Sequence, residues 1–191
     1  MRNTLITISG PRGSGKDATI AELLKWFAYM RLHRIIPCTT RERREGELHG
    51  REQFFLSEEE FAQNEQDEKF IFTNPLNASG YRSGTLKSEL IHNFSIVDIT
   101  STGAVYLRDY MQANNGRVFS YFLFTDHETR FERIKNRQKD LTDAGVEELM
   151  AYDPTIPYPE AHPDWFTKIR NDNGFLDETV NHIIADIKYA L

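Results

Sequence analysis

The chain has 191 residues, enough for one domain with a substantial core and inserted subregions. Its formal net charge of −6 argues against a nucleic-acid polymer as partner, and the local concentrations of positive charge are two short stretches, residues 41–51 and 130–139. A single cysteine, Cys38, excludes an internal disulfide and fits a reducing cytoplasm; no apolar run approaches a membrane span, and the six histidines lack zinc-site spacing.

The first element is the apolar β-type run Leu5-Ile6-Thr7-Ile8-Ser9, which starts too early to leave room for a signal peptide. It is followed by Gly10-Pro11-Arg12-Gly13-Ser14-Gly15-Lys16-Asp17 and then by the helical pattern Ala18-Thr19-Ile20-Ala21-Glu22-Leu23-Leu24-Lys25-Trp26-Phe27. Strand, glycine-rich turn and helix are the context that makes Gly-x-x-x-x-Gly-Lys a phosphate-binding P-loop. Backbone N–H groups of such a loop point inward at phosphate, the helix start adds its positive end, and Lys16 reaches the outer phosphates. Gly10, Arg12, Gly13, Ser14, Gly15, Lys16, Asp17 and Ala18 are therefore the expected ATP-binding residues. A Ser or Thr hydroxyl usually follows the lysine and holds Mg²⁺; here Asp17 offers a carboxylate, also a hard oxygen ligand, directly or through water.

Arg34-Ile35-Ile36-Pro37-Cys38 reads as one short strand. Residues 39–93 are more polar and broken, and read as an inserted subdomain rather than a βα unit. Within it, Gln53-Phe54-Phe55-Leu56 and Phe70-Ile71-Phe72 are strand-like, Ser57-Glu58-Glu59-Glu60 forms a capping box, and residues 85–91 read as a helix. Phe94-Ser95-Ile96-Val97-Asp98-Ile99 is a buried parallel strand, with a helix from about Gly103 to Asn115-Gly116. Residues 118–124 form the next strand, and Asp126 caps a helix carrying Arg130, Arg133 and Arg137. Pro154, Pro157, Pro159 and Pro163 make residues 140–164 a loop within a lid of about 135–165. A weaker strand at 166–170 precedes a last helix with Val180, Ile183, Ile184 and Ile187 on one face. The alternation predicts an α/β three-layer P-loop fold with a mostly parallel sheet, and ligands at the carboxyl ends of its strands.

Several side chains have two readings. Arg41 and Arg44 suit a forked grip on an acceptor phosphate or a solvated basic turn. Arg133 and Arg137, four apart on one helix face, suit stabilisation of the transferring group or an exposed face laced with Glu132. Asp98, ending a buried strand, suits Mg²⁺-bound water or an acceptor hydroxyl.

The ordered set resembles the guanylate-kinase-like branch of the P-loop nucleoside monophosphate kinases over nearly the whole chain. Thr39-Thr40-Arg41-Glu42-Arg43-Arg44-Glu45-Gly46-Glu47 with Gly50 and Gln53-Phe54-Phe55 is similar to that family's Thr-Thr-Arg-x-x-Arg-x-Gly-Glu segment and its Tyr-Phe-Phe. Ser83-Gly84-Thr85, Val97-Asp98-Ile99, Arg133, Arg137 and Asn171-Asp172 stand at further family positions. The resemblance implies a five-stranded parallel core and an ATP- and Mg²⁺-dependent phosphotransferase acting on a small phosphorylated acceptor. It implies catalytic roles for Lys16, Arg41, Arg133 and Arg137, with Asn171 near the adenine. It places the acceptor on Thr40, Arg41, Arg44, Ser83, Thr85 and Asp98, and the metal at Asp17 and Asp98.

The departures concern the acceptor. Gln53 and Ser83 stand where the family has tyrosines, a third lid arginine is replaced around Glu147 and Glu148, and Phe72-Thr73-Asn74 occupy the place of a guanine-reading glutamate. These changes predict an acceptor other than GMP, and the Gly-Lys-Asp loop resembles that of ribose 1,5-bisphosphate phosphokinases, which adds a sugar phosphate to the candidates. A non-catalytic binding module is the alternative, set against the intact Gly15-Lys16 pair. Tyr152, Tyr158 and Trp165 read as packing aromatics or as stacking partners for a base.

Overall fold

The computed structural model describes residues 2–74, 80–151 and 163–190. Its main sheet has five parallel strands in the order β2-β7-β1-β8-β9: β1 (Thr4–Ser9), β2 (His33–Arg34), β7 (Phe94–Asp98), β8 (Arg117–Phe124) and β9 (Thr167–Arg170). A second, four-stranded sheet runs β4-β3-β6-β5, built from β3 (Cys38–Thr39), β4 (Phe54–Phe55), β5 (Phe70–Asn74) and β6 (Ser83–Leu86). Six α-helices occur among the described residues: α1 (Lys16–Trp26), α2 (Glu58–Gln66), α3 (Ser101–Ala113), α4 (His127–Arg137), α5 (Asp143–Ala151) and α6 (Leu176–Ala190).

Strand β1 is central and buried at every position, so alternate side chains feed both faces of the sheet. Ile6 and Ile8 join Ile20, Leu23 and Phe27 of α1 and Ile183, Ile184 and Ile187 of α6 in one core cluster. Leu5 joins Val97, Ile35, Leu90 and the α3 residues Leu107 and Met111 in another. The helices therefore cover both faces, as the β/α alternation requires. This layering brings the residues that follow β1, β7, β8 and β9 to one edge of the sheet. The register Ile8↔Asp98 sets the end of β7 beside the start of the P-loop.

Local signals behave as their chemistry dictates. Ser57 accepts from the Glu60 N–H while Glu60 accepts from the Ser57 N–H, the reciprocal capping box that starts α2. Asp126 accepts from the Thr129 N–H and starts α4.

Three expectations are corrected. The run at 34–38 is not one strand: His33–Arg34 pairs in the main sheet and Cys38–Thr39 in the second. Pro37 has no N–H to continue a ladder, and the Ile36 N–H is taken by the Glu89 carboxylate at 2.9 Å. Residues 85–91 are not a helix. Thr85 and Leu86 complete β6 by pairing with β5, and only Lys87–Ile91 coils, as a 3₁₀ turn. Nor is 140–164 a loop throughout: Asp143–Ala151 is helical because Val146 and Met150, four apart, pack on Ile134 of α4. Pro154, Pro157, Pro159, Tyr152 and Tyr158 lie outside the described residues.

Asp172, just beyond β9, ties two of these junctions together. Its carboxylate accepts from the Thr125 hydroxyl at 2.6 Å and the Asp126 N–H at 3.0 Å, and pairs with Arg170. The Thr125 bond first, then the Asp126 N–H and Arg170, hold its acid down from the ordinary 3.8 to about 2. A carboxyl depressed on folding contributes stability that is present above its unfolded value and lost as pH falls through the folded one. Acid unfolding followed by circular dichroism should therefore show a component between about pH 4 and pH 2 that Asp172→Asn removes.

Candidate active site

A cavity of about 700 Å³ opens at the carboxyl edge of the main sheet and continues to the second sheet. One end is the P-loop. Helix α1 starts at Lys16, and its N-cap, Gly15, supplies no side-chain cap, so the first-turn N–H groups remain free to face an anion. The Lys16 ammonium donates to the Gly10 carbonyl at 2.9 Å and the Pro11 carbonyl at 3.3 Å, folded back on its own loop. Gly15 has φ +91°, and a Cβ there would lie 2.3 Å from the Asn171 amide nitrogen. Glycine is needed here both for the turn and for that approach.

Asn171 is buried, and its side chain is fully engaged. Its Nδ2 donates to the Ser14 carbonyl at 2.7 Å, and its Oδ1 accepts from the Thr179 hydroxyl at 3.1 Å. The geometry makes it a strut between α6 and the P-loop. Asn171→Ala removes the donor to the Ser14 carbonyl and leaves the Thr179 hydroxyl with only its 3.3 Å bond to the Arg170 carbonyl, a loss of about 1–3 kcal/mol. Urea unfolding should show that loss, together with weaker ATP binding by titration calorimetry; unchanged stability would refute the strut.

The two helix-α4 arginines differ in setting. Arg133 Nη1 donates to the carbonyls of Gly13 (3.1 Å) and Asn171 (2.9 Å), and Nε donates to the Asn173 side chain. Arg130, one turn earlier and buried, donates from Nε to the Arg12 carbonyl at 3.0 Å. Arg137 is exposed and, among the described residues, makes a long contact, 3.7 Å, to the Asp17 carboxylate. Arg34 reaches the other Asp17 oxygen at 3.5 Å. Asp98 lines the cavity at the P-loop end. Burial pushes its carboxyl up, opposed by the charge of Lys16 and reinforced by that of Asp17.

The other end carries the Arg41–Arg44 loop, where Glu47 organises the backbone. Both its oxygens accept from Arg41 Nη2, at 2.9 and 3.0 Å, and one accepts the Arg44 N–H at 2.8 Å. The Arg41 bond is the largest cause holding the Glu47 acid low. Arg41 is thus pre-aimed, and its guanidinium also lies over the Phe55 ring. Arg44, Ser83 and Thr85 line the cavity too. Thr40 does not: its hydroxyl accepts from the Arg82 N–H, pinning loop to strand, and its neighbour Thr39 takes the cavity wall. Trp165 lies under the Arg108 guanidinium and beside the Phe122–Phe166 cluster, a packing aromatic.

The guanylate kinase family model matches residues 1–185. The chain belongs to the guanylate kinase family. Guanylate kinases of Rhodopirellula baltica, Clostridium tetani and Mesomycoplasma hyopneumoniae are 34%, 30% and 33% identical to it, over 55%, 71% and 75% of this chain. The matches span 52%, 62% and 74% of those relatives, so about half to three-quarters of their length. The crystal structure of guanylate kinase from Anaplasma phagocytophilum superposes with a TM-score of 0.64 at 19% identity, covering 99% of this chain and 86% of that one. That likeness shows the shared fold.

Within this guanylate kinase fold, sequence reasoning missed the contact of Arg34, read Glu47 only as part of a motif, and read Asn74 only as standing in the place of a guanine-reading glutamate. Glu47 was legible in the Arg-x-x-Arg-x-Gly-Glu spacing. Arg34 carried no local signal, since it meets Asp17 only because β2 lies at the sheet edge near α1. Asn74 reaches the cavity because strand alternation sets it on the same face as Phe72, and its Nδ2 donates to the Ser83 hydroxyl at 3.1 Å.

Proposed function

We propose that this chain transfers the γ-phosphoryl group of ATP to a nucleoside monophosphate. The observation that carries the reading is one continuous cavity with a P-loop at one end and the Arg41–Arg44 loop at the other. Phosphoryl transfer requires two anionic groups held in line and neutralised, with little covalent chemistry from the protein.

In this reading, Gly13, Gly15 and the first turn of α1 hold the donor phosphates, with Lys16 leaving its loop carbonyls to join them. Arg41, held by Glu47, and Arg44 take the acceptor phosphate. Arg133 steadies the P-loop through Gly13, while Arg137, free of short contacts to Asp17, turns toward the transferring group. Residues 39–93 serve as the acceptor-binding insert, and the end of α4, where Arg137 and Gln138 line the cavity, begins the lid on the donor side.

The donor set fits Mg²⁺. Asp17 and Asp98 are hard oxygen ligands at the phosphate end, and the contacts of Asp17 to Arg34 and Arg137 are long enough to exchange. An ion held by Asp17 and Asp98 would supply positive charge to the phosphates.

The acceptor half is walled by Pro37, Phe72 and Ile99, which suits a flat base better than a polyhydroxylated sugar phosphate. The test is ADP release with Mg·ATP against a panel of AMP, CMP, UMP, dTMP, GMP, IMP and ribose 1,5-bisphosphate. Turnover with a nucleoside monophosphate supports the reading. ATP binding with turnover only on the sugar phosphate overturns the acceptor class, and no ATP binding at all returns the chain to a binding module.

A further inference from the structure

Resting on the kinase reading above, the polar groups around the acceptor base carry a prediction about its identity. The described carboxylates that line the cavity, Asp17 and Asp98, both lie at the phosphate end; the burial-raised carboxyl of Asp98 feels the charges of Lys16, Asp17 and Arg34. In the acceptor half, the described side chains around the base are apolar or neutral. Phe72 is buried, its ring stacked on Tyr106 with centroids 4.9 Å apart, in a slot open because residue 103 is glycine. A Cβ on Gly103 would come within 2.8 Å of that ring. The ring is therefore a fixed apolar wall.

Beside it stands Asn74. One amide N–H is spent on the Ser83 hydroxyl, which orients the group and, among the described residues, leaves Oδ1 and the second N–H. We infer that Asn74, oriented by Ser83 against the Phe72 wall, reads the acceptor base as one hydrogen-bond donor beside one acceptor, so that the pocket does not select a 2-aminopurine.

The chemistry follows from the base edges. Adenine, cytosine and uracil each present a donor next to an acceptor, which one amide satisfies. Guanine presents the O6 acceptor, the N1–H donor and a second donor at the 2-amino group. An amide can pair with O6 and N1–H, but the 2-amino group then meets only neutral lining groups such as Thr39, Gln53, Thr85 and Thr100, weaker acceptors than a carboxylate, among the described residues. A second donor held by a neutral group in place of a charged one gains less than its desolvation costs. Hypoxanthine is guanine without that amino group, so IMP and GMP isolate the effect.

The experiment is calorimetric titration of the full chain with IMP and with GMP, in the presence of Mg²⁺ and a non-hydrolysable ATP analogue. The expected result is IMP bound about tenfold more tightly than GMP. Asn74→Asp keeps the size, accepts from the Ser83 hydroxyl where the amide donated to it, and supplies a second acceptor, so it should move the ratio toward GMP by a similar factor. GMP bound more tightly than IMP by the native chain overturns the inference, as does a ratio that Asn74→Asp leaves unmoved. These affinities decide base reading whether or not phosphate is transferred. Absence of ADP release with every acceptor overturns the kinase reading instead, and binding of neither nucleotide overturns both.

Discussion

Lys16→Ala is expected to reduce phosphoryl transfer by roughly 10³-fold or more while leaving the fold intact. The side chain lines the cavity, and its hydrogen bonds run to Gly10 and Pro11, carbonyls of the loop it belongs to. Its removal therefore opens no hole in the core, and a substitution of that kind changes stability by about 0.5 kcal/mol or less. The loss falls on the reaction, because the ammonium is the mobile positive charge within the P-loop itself, whereas Arg137 approaches from α4. Arg133 is committed to Gly13 and Asn171 and cannot replace it. Steady-state ADP release with the best acceptor of the panel, alongside urea unfolding of both proteins, separates the two effects. Turnover within tenfold of the native enzyme would refute the assignment of the P-loop as the donor site.

Gly10→Ala is expected to destabilise the protein by about 3 kcal/mol or more. Gly10 has φ +148°, and a Cβ there would sit 2.2 Å from the Leu123 carbonyl oxygen and 2.8 Å from the Ser14 hydroxyl. The first neighbour is backbone of β8, which is paired to β1 on one side and to β9 on the other, so it cannot retreat without disturbing the central sheet. Gly46→Ala is the comparison. Gly46 has φ +79° and nothing within 4 Å of its Cβ position, so only the left-handed backbone is penalised, at about 1 kcal/mol. Urea midpoints for the two variants should differ accordingly; equal losses would mean that conformation, not the contact with β8, makes glycine necessary at position 10.

The two ends of the cavity were unequally legible. Donor-end residues are consecutive, and a strand, a glycine-rich turn and a helix start impose their own geometry over residues 4–26. The acceptor half is assembled from strands far apart in sequence. Its second sheet includes two-residue strands, Cys38–Thr39 and Phe54–Phe55, too short to show a period. The split at Pro37 depends on Glu89, more than fifty residues away, accepting the Ile36 N–H. The helix expected at 85–91 gave way to β6 because pairing with β5 outweighs local propensity.

Taken alone, the sequence determined the P-loop, the capped starts of α2 and α4, the parallel core and the family, because each rests on neighbouring residues or on an ordered set of motifs. Only the tertiary structure decided that Asn171 is a strut rather than an open contact, that Thr39 and not Thr40 faces the cavity, and that Glu47 aims Arg41. It alone placed Asn74 on Ser83 beside a fixed Phe72. The physical reason is the range of the interactions. Caps, turns and strand patterns act over a few residues, whereas the hydrogen bond from Asn171 to Ser14 spans 157 positions and exists only once the sheet has set β9 beside β8.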